Sequence, residues 1–94
     1  MEKVYRGVIA MRVETDDIEH LSQEVLDELQ CGDVVIKKTV EDGKELKHAY
    51  LVTHKQATGI CISYNTTGYS DTYSYDKVGG VWTFNSKDVW EAEQ

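Results

Sequence analysis

Residues 64–75 read YNTTGYSDTYSY and hold four of the six tyrosines in the chain, with no lysine or arginine among them. Tyrosine set among Ser, Thr, Gly and Asn is a composition that binding surfaces use, because the ring gives contact area at low entropic cost. Asn65 to Gly68 turns the chain. Beyond it, Tyr69, Asp71, Tyr73 and Tyr75 fall at alternate positions, so a strand places them on one face and Ser70, Thr72 and Ser74 on the other. The rings would offer stacking surface and Asp71 an acceptor. A lysine-bearing hairpin over residues 33–55 adds Lys37, Lys38, Lys44, Lys47 and Lys55. Tyr69, Asp71, Tyr73, Tyr75, Lys37 and Lys47 thus form one candidate site, suited to a small ligand or a nucleotide. The alternation also fits a half-buried strand. Asp71 then decides between the two readings, because an acid inside a buried face needs a partner.

A second candidate surface is acidic. Residues 14–28, ETDDIEHLSQEVLDE, carry Glu14, Asp16, Asp17, Glu19, Glu24, Asp27 and Glu28 and no Lys or Arg. The formal charge of the whole chain is −7. All of it resides in this segment, since ten acids balance ten bases elsewhere. Asp17, Glu24, Asp27 and Glu28 would steer a basic protein partner toward one helix. A solvated outer face that keeps a small domain soluble is the plainer reading of the same charges.

The remaining reactive residues point away from catalysis and metals. His48 and His54, six apart in one strand, share a face but stand roughly 20 Å apart at strand rise. His20 lies on the acidic segment, four residues before Glu24. There is no His-x-x-x-His, no Cys-x-x-Cys and no calcium-loop spacing. Cys31 falls at a helix C-terminus, where the dipole disfavours a thiolate, and Cys61 sits between two isoleucines in a strand. No serine has a glycine elbow, and no glycine spacing matches a phosphate loop. The expectation is a non-enzymatic protein without cofactor or metal. Nucleic acid is disfavoured because the chain as a whole repels phosphate.

These residues need elements to position them. Ninety-four residues make one small domain with a thin core, so a groove or an outer face is the place for function, and a homodimer would bury more. No segment approaches the roughly 20 apolar residues of a membrane span. The N-terminus does not read as a signal peptide, which with two unpaired cysteines points to the cytoplasm. Lys3 to Val13 reads as one strand with Tyr5, Ile9, Met11 and Val13 on a shared face. Asp16 to Gln30 reads as a helix, with Ile18, Leu21, Val25, Leu26 and Leu29 in one stripe and Gly32 as its stop.

From Asp33 onward the pattern is β. Two hairpin registers are open around EDG. A two-residue Asp42-Gly43 loop sets Leu46, His48, Tyr50 and Val52 opposite in face to Val34 and Ile36. A three-residue Glu41–Gly43 loop puts Val34, Ile36, Val40, Leu46, Tyr50 and Val52 on one face and Lys37 across from Lys47. The second separates apolar from charged residues better and is preferred. Thr58 to Tyr64, Tyr69 to Tyr75 and VWTF follow as strands. NSKDVWEAEQ reads as a cap at Ser86 and a short turn or helix carrying Val89 and Trp90.

The terminal stretch GGVWTFNSKDVWEAEQ resembles the tails of small phage-encoded β-rich accessory proteins. Those proteins include inhibitors of host defence and sponges for signalling nucleotides. The resemblance covers about sixteen residues and implies a binding protein of a phage or mobile element; no functional residues carry over from it.

The expected architecture is α+β: one N-terminal amphipathic helix packed on a bent antiparallel sheet, an SH3-like or OB-like small barrel in the order β-α-β-β-β-β-β. Its core would hold Ile9, Met11, Leu21, Val25, Leu29, Val34, Ile36, Tyr50, Val52, Ile60, Ile62, Trp82 and Phe84. The leading functional expectation is a module that binds a host protein through its acidic helix. The alternatives are a small-ligand or nucleotide binder and a self-associating structural module.

Overall fold

The computed structural model describes residues 1–92 and shows a chain whose order is set by its turns. Strands β3 (Val34–Glu41), β4 (Lys44–Gln56), β5 (Gly59–Thr66), β6 (Tyr69–Val78) and β7 (Val81–Glu91) follow one another through turns of two residues each. A two-residue turn leaves no length to skip a neighbour, so each strand pairs antiparallel with the next. Before them, β1 (Lys3–Arg6) and β2 (Met11–Thr15) form a hairpin. β2 pairs in parallel with β3, which requires a long crossover. That crossover holds a 3₁₀ turn, Ile18–His20, and a helix of six residues, α1 (Gln23–Glu28). The product is a single seven-stranded mixed sheet in the order β1-β2-β3-β4-β5-β6-β7.

The sheet curls around the crossover. The Tyr75 hydroxyl of β6 donates to the Ile18 carbonyl at 2.7 Å. Gln23 exchanges two hydrogen bonds of 2.7 Å with the backbone of Trp82 on β7. Lys55 of β4 donates to the carbonyls of Leu26, Asp27 and Leu29 at 2.8, 3.0 and 2.6 Å, satisfying groups that a helix end leaves without partners. A segment that links β2 to β3 is thus held by β4, β6 and β7. Between them lies the core: Met11, Val13, Ile18, Leu21, Val25, Leu26, Leu29, Val35, Tyr50, Val52, Ile60, Ile62, Tyr73, Tyr75 and Trp82. Asp33 ties the crossover to β2 by accepting from the backbone N–H groups of Met11 and Gln30 at 2.9 and 2.8 Å.

This overturns the expected helix on a small barrel. The first and last strands pair with no further strand, so the sheet stays open. The helix is short because the backbone along the apolar stripe from Ile18 to Leu29 leaves the helical conformation at Leu21 and Ser22, both extended. Ser22 is an N-cap whose hydroxyl accepts from Val25 N–H at 3.2 Å, and Glu2 takes the Ser22 N–H at 2.5 Å. The expected strand from Lys3 to Val13 is two strands, closed by a Gly7 N–H to Ala10 carbonyl bond of 3.0 Å, which leaves Ile9 in solvent rather than in the core. The C-terminal stretch continues as β7 to Glu91 instead of turning into a helix, because residues 86–91 keep pairing with β6. The end of that expected helix, residues 93–94, lies outside the described residues.

The hairpin register is also corrected. Glu41 pairs with Lys44, and Asp42 and Gly43 take positive φ of 51° and 76°, the conformation of a two-residue type I′ turn. Val35, not Val34 and Ile36, therefore faces the core, opposite Tyr50 and beside Val13. Lys37 faces His48, while Lys38 faces Lys47. The like-charge Lys38–Lys47 pair shares Glu14, at 4.0 and 3.9 Å. Phe84 packs at the margin of the core, half-buried.

Candidate functional site

Strand alternation builds the site. Cross-strand partners share a face, so the face that carries the core runs from Val35 and Lys37 on β3, through His48 and Tyr50 on β4 and Ile62 and Tyr64 on β5. It continues through Tyr69, Asp71 and Tyr73 on β6 to Lys87 and Val89 on β7. The crossover covers one half of this inner face. On the other half His48, Tyr64 and Tyr69 stay half-buried, and Leu46 and Val89 are exposed.

The curl makes this uncovered half the concave side of the sheet, a cup whose centre is filled by its own side chains. Lys37 on β3 and Tyr73 on β6 are three strands apart in the sheet, yet the Lys37 ammonium donates to the Tyr73 hydroxyl at 3.0 Å. Lys87 arrives from the far side. Its Nζ stands 5.3 Å from the Tyr73 ring centroid and 3.7 Å from Asp71 Oδ2. Asp71 is 3% exposed and points inward, which answers the question its position raised. Tyr50 donates to its Oδ2 at 2.6 Å, while Oδ1 is buried without a hydrogen-bond partner.

The rings extend outward from this floor as a connected series. Tyr50 lies 5.4 Å from Tyr73 and 5.7 Å from Tyr64; Tyr64 lies 5.0 Å from His48 and 6.2 Å from Tyr69, centroid to centroid. These are the offset and edge-on separations that aromatic side chains favour.

The electrostatics follow from burial. Desolvation pushes the Tyr50 hydroxyl well above the usual tyrosine range, and the hydrogen bond to the Asp71 carboxylate adds to it, so Tyr50 is a neutral donor. Burial alone would pull the Lys87 ammonium down; the Tyr73 hydroxyl and the Asp71 carboxylate outweigh it and hold Lys87 above its ordinary value. Two ammonium groups against one carboxylate leave the floor of the cup cationic in a chain of charge −7.

The residues singled out in the sequence divide. Tyr69, Asp71, Tyr73 and Lys37 come together in the cup. Tyr75 belongs to the core beneath the crossover, its hydroxyl committed to Ile18. Lys47 stands on the outer face with Glu14 and Glu45. Lys87, Tyr50, Tyr64 and His48 join the site unannounced. Lys87 lacked any local signal, because a bulge between Ser74 and Tyr75 sets which β7 residues face inward.

On the acidic segment, Asp17 accepts from the His20 ring Nδ1–H at 2.9 Å, and its carboxylate holds the imidazole above its ordinary value. Asp27 accepts from Trp82 Nε1 at 2.7 Å and from Lys77 at 3.1 Å; these bonds hold its carboxyl below the usual range. Glu28 pairs with Arg6 at 2.7 Å. Glu24 is exposed and has no ion pair among the described residues.

Two grooves lie elsewhere. One, about 410 Å³, runs between the crossover and β7 past Glu19, Leu21, Leu26, Trp82 and Phe84. The other, about 340 Å³, lies near His54, Cys61 and Asp76. A bulge after Val52 brings His54 opposite Cys61 and away from the face of His48, contrary to simple alternation. Both cysteines are free thiols. Among the described residues no group of three or more His, Cys, Asp or Glu side chains is placed to hold a metal ion, and no helix is long and apolar enough to cross a membrane. Compared with known proteins, the chain matches no family model, no curated protein and no solved structure.

Proposed function

We propose that the protein is a non-catalytic binding module whose cup takes a nucleotide-sized ligand with a planar ring and an anionic group. The observation that carries this reading is the convergence of Lys37 and Lys87, from opposite sides of the curled sheet, on Tyr73 beside a buried Asp71. Two ammonium groups supply a seat for a phosphate. His48, Tyr64 and Tyr69 supply ring faces on which a base stacks, an interaction worth about 1–3 kcal/mol per base. Asp71 Oδ1 is an acceptor without a donor, which a ring N–H or amino group would satisfy once the cup side chains open around it. Sequestration of a signalling nucleotide is one role that the C-terminal resemblance to phage accessory proteins implies, and the cup suits it.

What favours this reading over docking through the acidic segment is the buried Asp71 Oδ1 without a donor, since charged groups on both surfaces already have partners within the chain. Of Asp17, Glu24, Asp27 and Glu28, three are already engaged within the chain. NMR titration with the four ribonucleoside 5′-monophosphates and with inorganic phosphate tests the proposal. Perturbations centred on His48, Tyr64, Tyr69 and Tyr73 support it; perturbations confined to residues 14–28, or none with any probe, refute it.

A further inference from the structure

The β1–β2 hairpin ends in an apolar tip. Val8 and Ile9 are 106% and 98% exposed, the most exposed large side chains of the apolar residues after the chain start. Tight hairpin turns in water use Gly, Asn or Asp at such positions; GVIA does not. The tip is held firmly all the same. The Gly7 N–H to Ala10 carbonyl bond closes it, and a Cβ on Gly7 would lie 2.8 Å from the Ala10 oxygen, so glycine is required there. Residues 3–13 also carry Lys3, Arg6 and Arg12 and no acid. An apolar point with a basic collar therefore projects from an otherwise acidic protein.

The complementary surface is present on the same chain. The groove of about 410 Å³ between the crossover and β7 is lined by Leu21, Leu26, Trp82 and Phe84, with Glu19 on it and the unpaired Glu24 in the next turn. Its size is that of a small-ligand pocket. The tip is fully in solvent, so it does not fill the groove of its own chain.

We propose that Val8 and Ile9 of one copy dock into this groove of a second copy, with Arg12 facing Glu19 and Glu24 while Arg6 keeps its pair with Glu28 of its own chain. Tip and groove are different surfaces, so the contact is head-to-tail and propagates into rings or filaments. A two-residue anchor buries little area, which places the contact in the weak, concentration-dependent class. It does not depend on the ligand cup.

Sedimentation velocity across a concentration series tests this with three chains: wild type, Ile9→Asp and Thr83→Arg. Both substitutions fall on exposed positions, so all three should melt alike. Wild type should grow in mass with concentration, and each variant alone should stay monomeric. Mixed in equal amounts, Ile9→Asp supplies an intact groove and Thr83→Arg an intact tip, so a two-chain species that grows no further should appear. Wild type that is monomeric throughout, or Ile9→Asp that associates as wild type does, overturns the proposal. Wild type that stays monomeric but co-sediments with anionic lipid vesicles through Val8 and Ile9 also overturns it, and assigns the tip to a membrane surface.

Discussion

The Lys37 ammonium and the Tyr73 hydroxyl meet at 3.0 Å although their strands are separated by two others. In a flat sheet, strands about 4.8 Å apart would hold these side chains parallel and out of reach. Their contact measures the curl that makes the cup, and the curl comes from wrapping five strands around a short crossover.

The Tyr50–Asp71 bond anchors the floor of the cup. Tyr50→Phe should lower unfolding stability by about 1–3 kcal/mol, since it strips the buried Oδ2 of its neutral donor. Urea unfolding of the two proteins measures it. Stability equal to wild type would show that Lys87 alone suffices for Asp71.

Alkaline pH should separate the tyrosines. Burial holds Tyr50 and Tyr75 above the usual tyrosine range in the folded state, whereas unfolded tyrosines ionise near pH 10. Their contribution to stability is therefore full below about pH 10 and is lost as pH rises beyond it. Ultraviolet titration should show these two ionising only together with unfolding. Phenolate absorbance from all six tyrosines in a still-folded chain would contradict this.

Lys55 is expected to hold the crossover in place. Lys55→Met keeps the length of the stem but leaves the carbonyls of Leu26, Asp27 and Leu29 without their donor. A loss of about 1.5–3 kcal/mol is expected, the range for bonds to a charged group. Hydrogen exchange should quicken first at residues 23–29. Uniform quickening over the whole sheet would argue that the crossover does not open on its own.

The core assignment separates two leucine-sized residues that looked alike in the sequence. Leu29→Ala should cost about 2–5 kcal/mol, because Leu29 is fully buried. Ile9→Ala should change stability by less than about 0.5 kcal/mol, because Ile9 stands in solvent. Thermal unfolding of both variants checks the contrast.

That contrast shows where the sequence was legible. β5 and β6 read correctly because their alternation is clean: Ile60, Ile62 and Tyr64 against Cys61 and Ser63, then Tyr69, Asp71, Tyr73 and Tyr75 against Ser70, Thr72 and Ser74. β3 did not, because Val34, Val35 and Ile36 are apolar on both faces and only the backbone of Asp42-Gly43 selects the register. The first hairpin was hidden because its two central turn positions, Val8 and Ile9, are not turn residues, and Gly7 was the lone signal. The break at Ser22 was hidden by an unbroken apolar stripe, and bonds to Glu2, Tyr75 and Trp82 that secure it come from far along the chain. The cup was half visible: its tyrosines and Asp71 share a strand, but Lys87 enters through a bulge that no local pattern announces.

The charge of Lys37 and Lys87 is proposed to seat an anionic, ring-bearing ligand. Calorimetric titration of the ribonucleoside 5′-monophosphates into wild type and into Lys37→Gln/Lys87→Gln tests this, because glutamine keeps an N–H donor on a side chain one atom shorter while removing the charge. The double variant, shown folded by its amide spectrum, should bind at least about tenfold more weakly, a difference of about 1.4 kcal/mol. A folded variant with wild-type affinity would show that the two lysines do not seat the ligand.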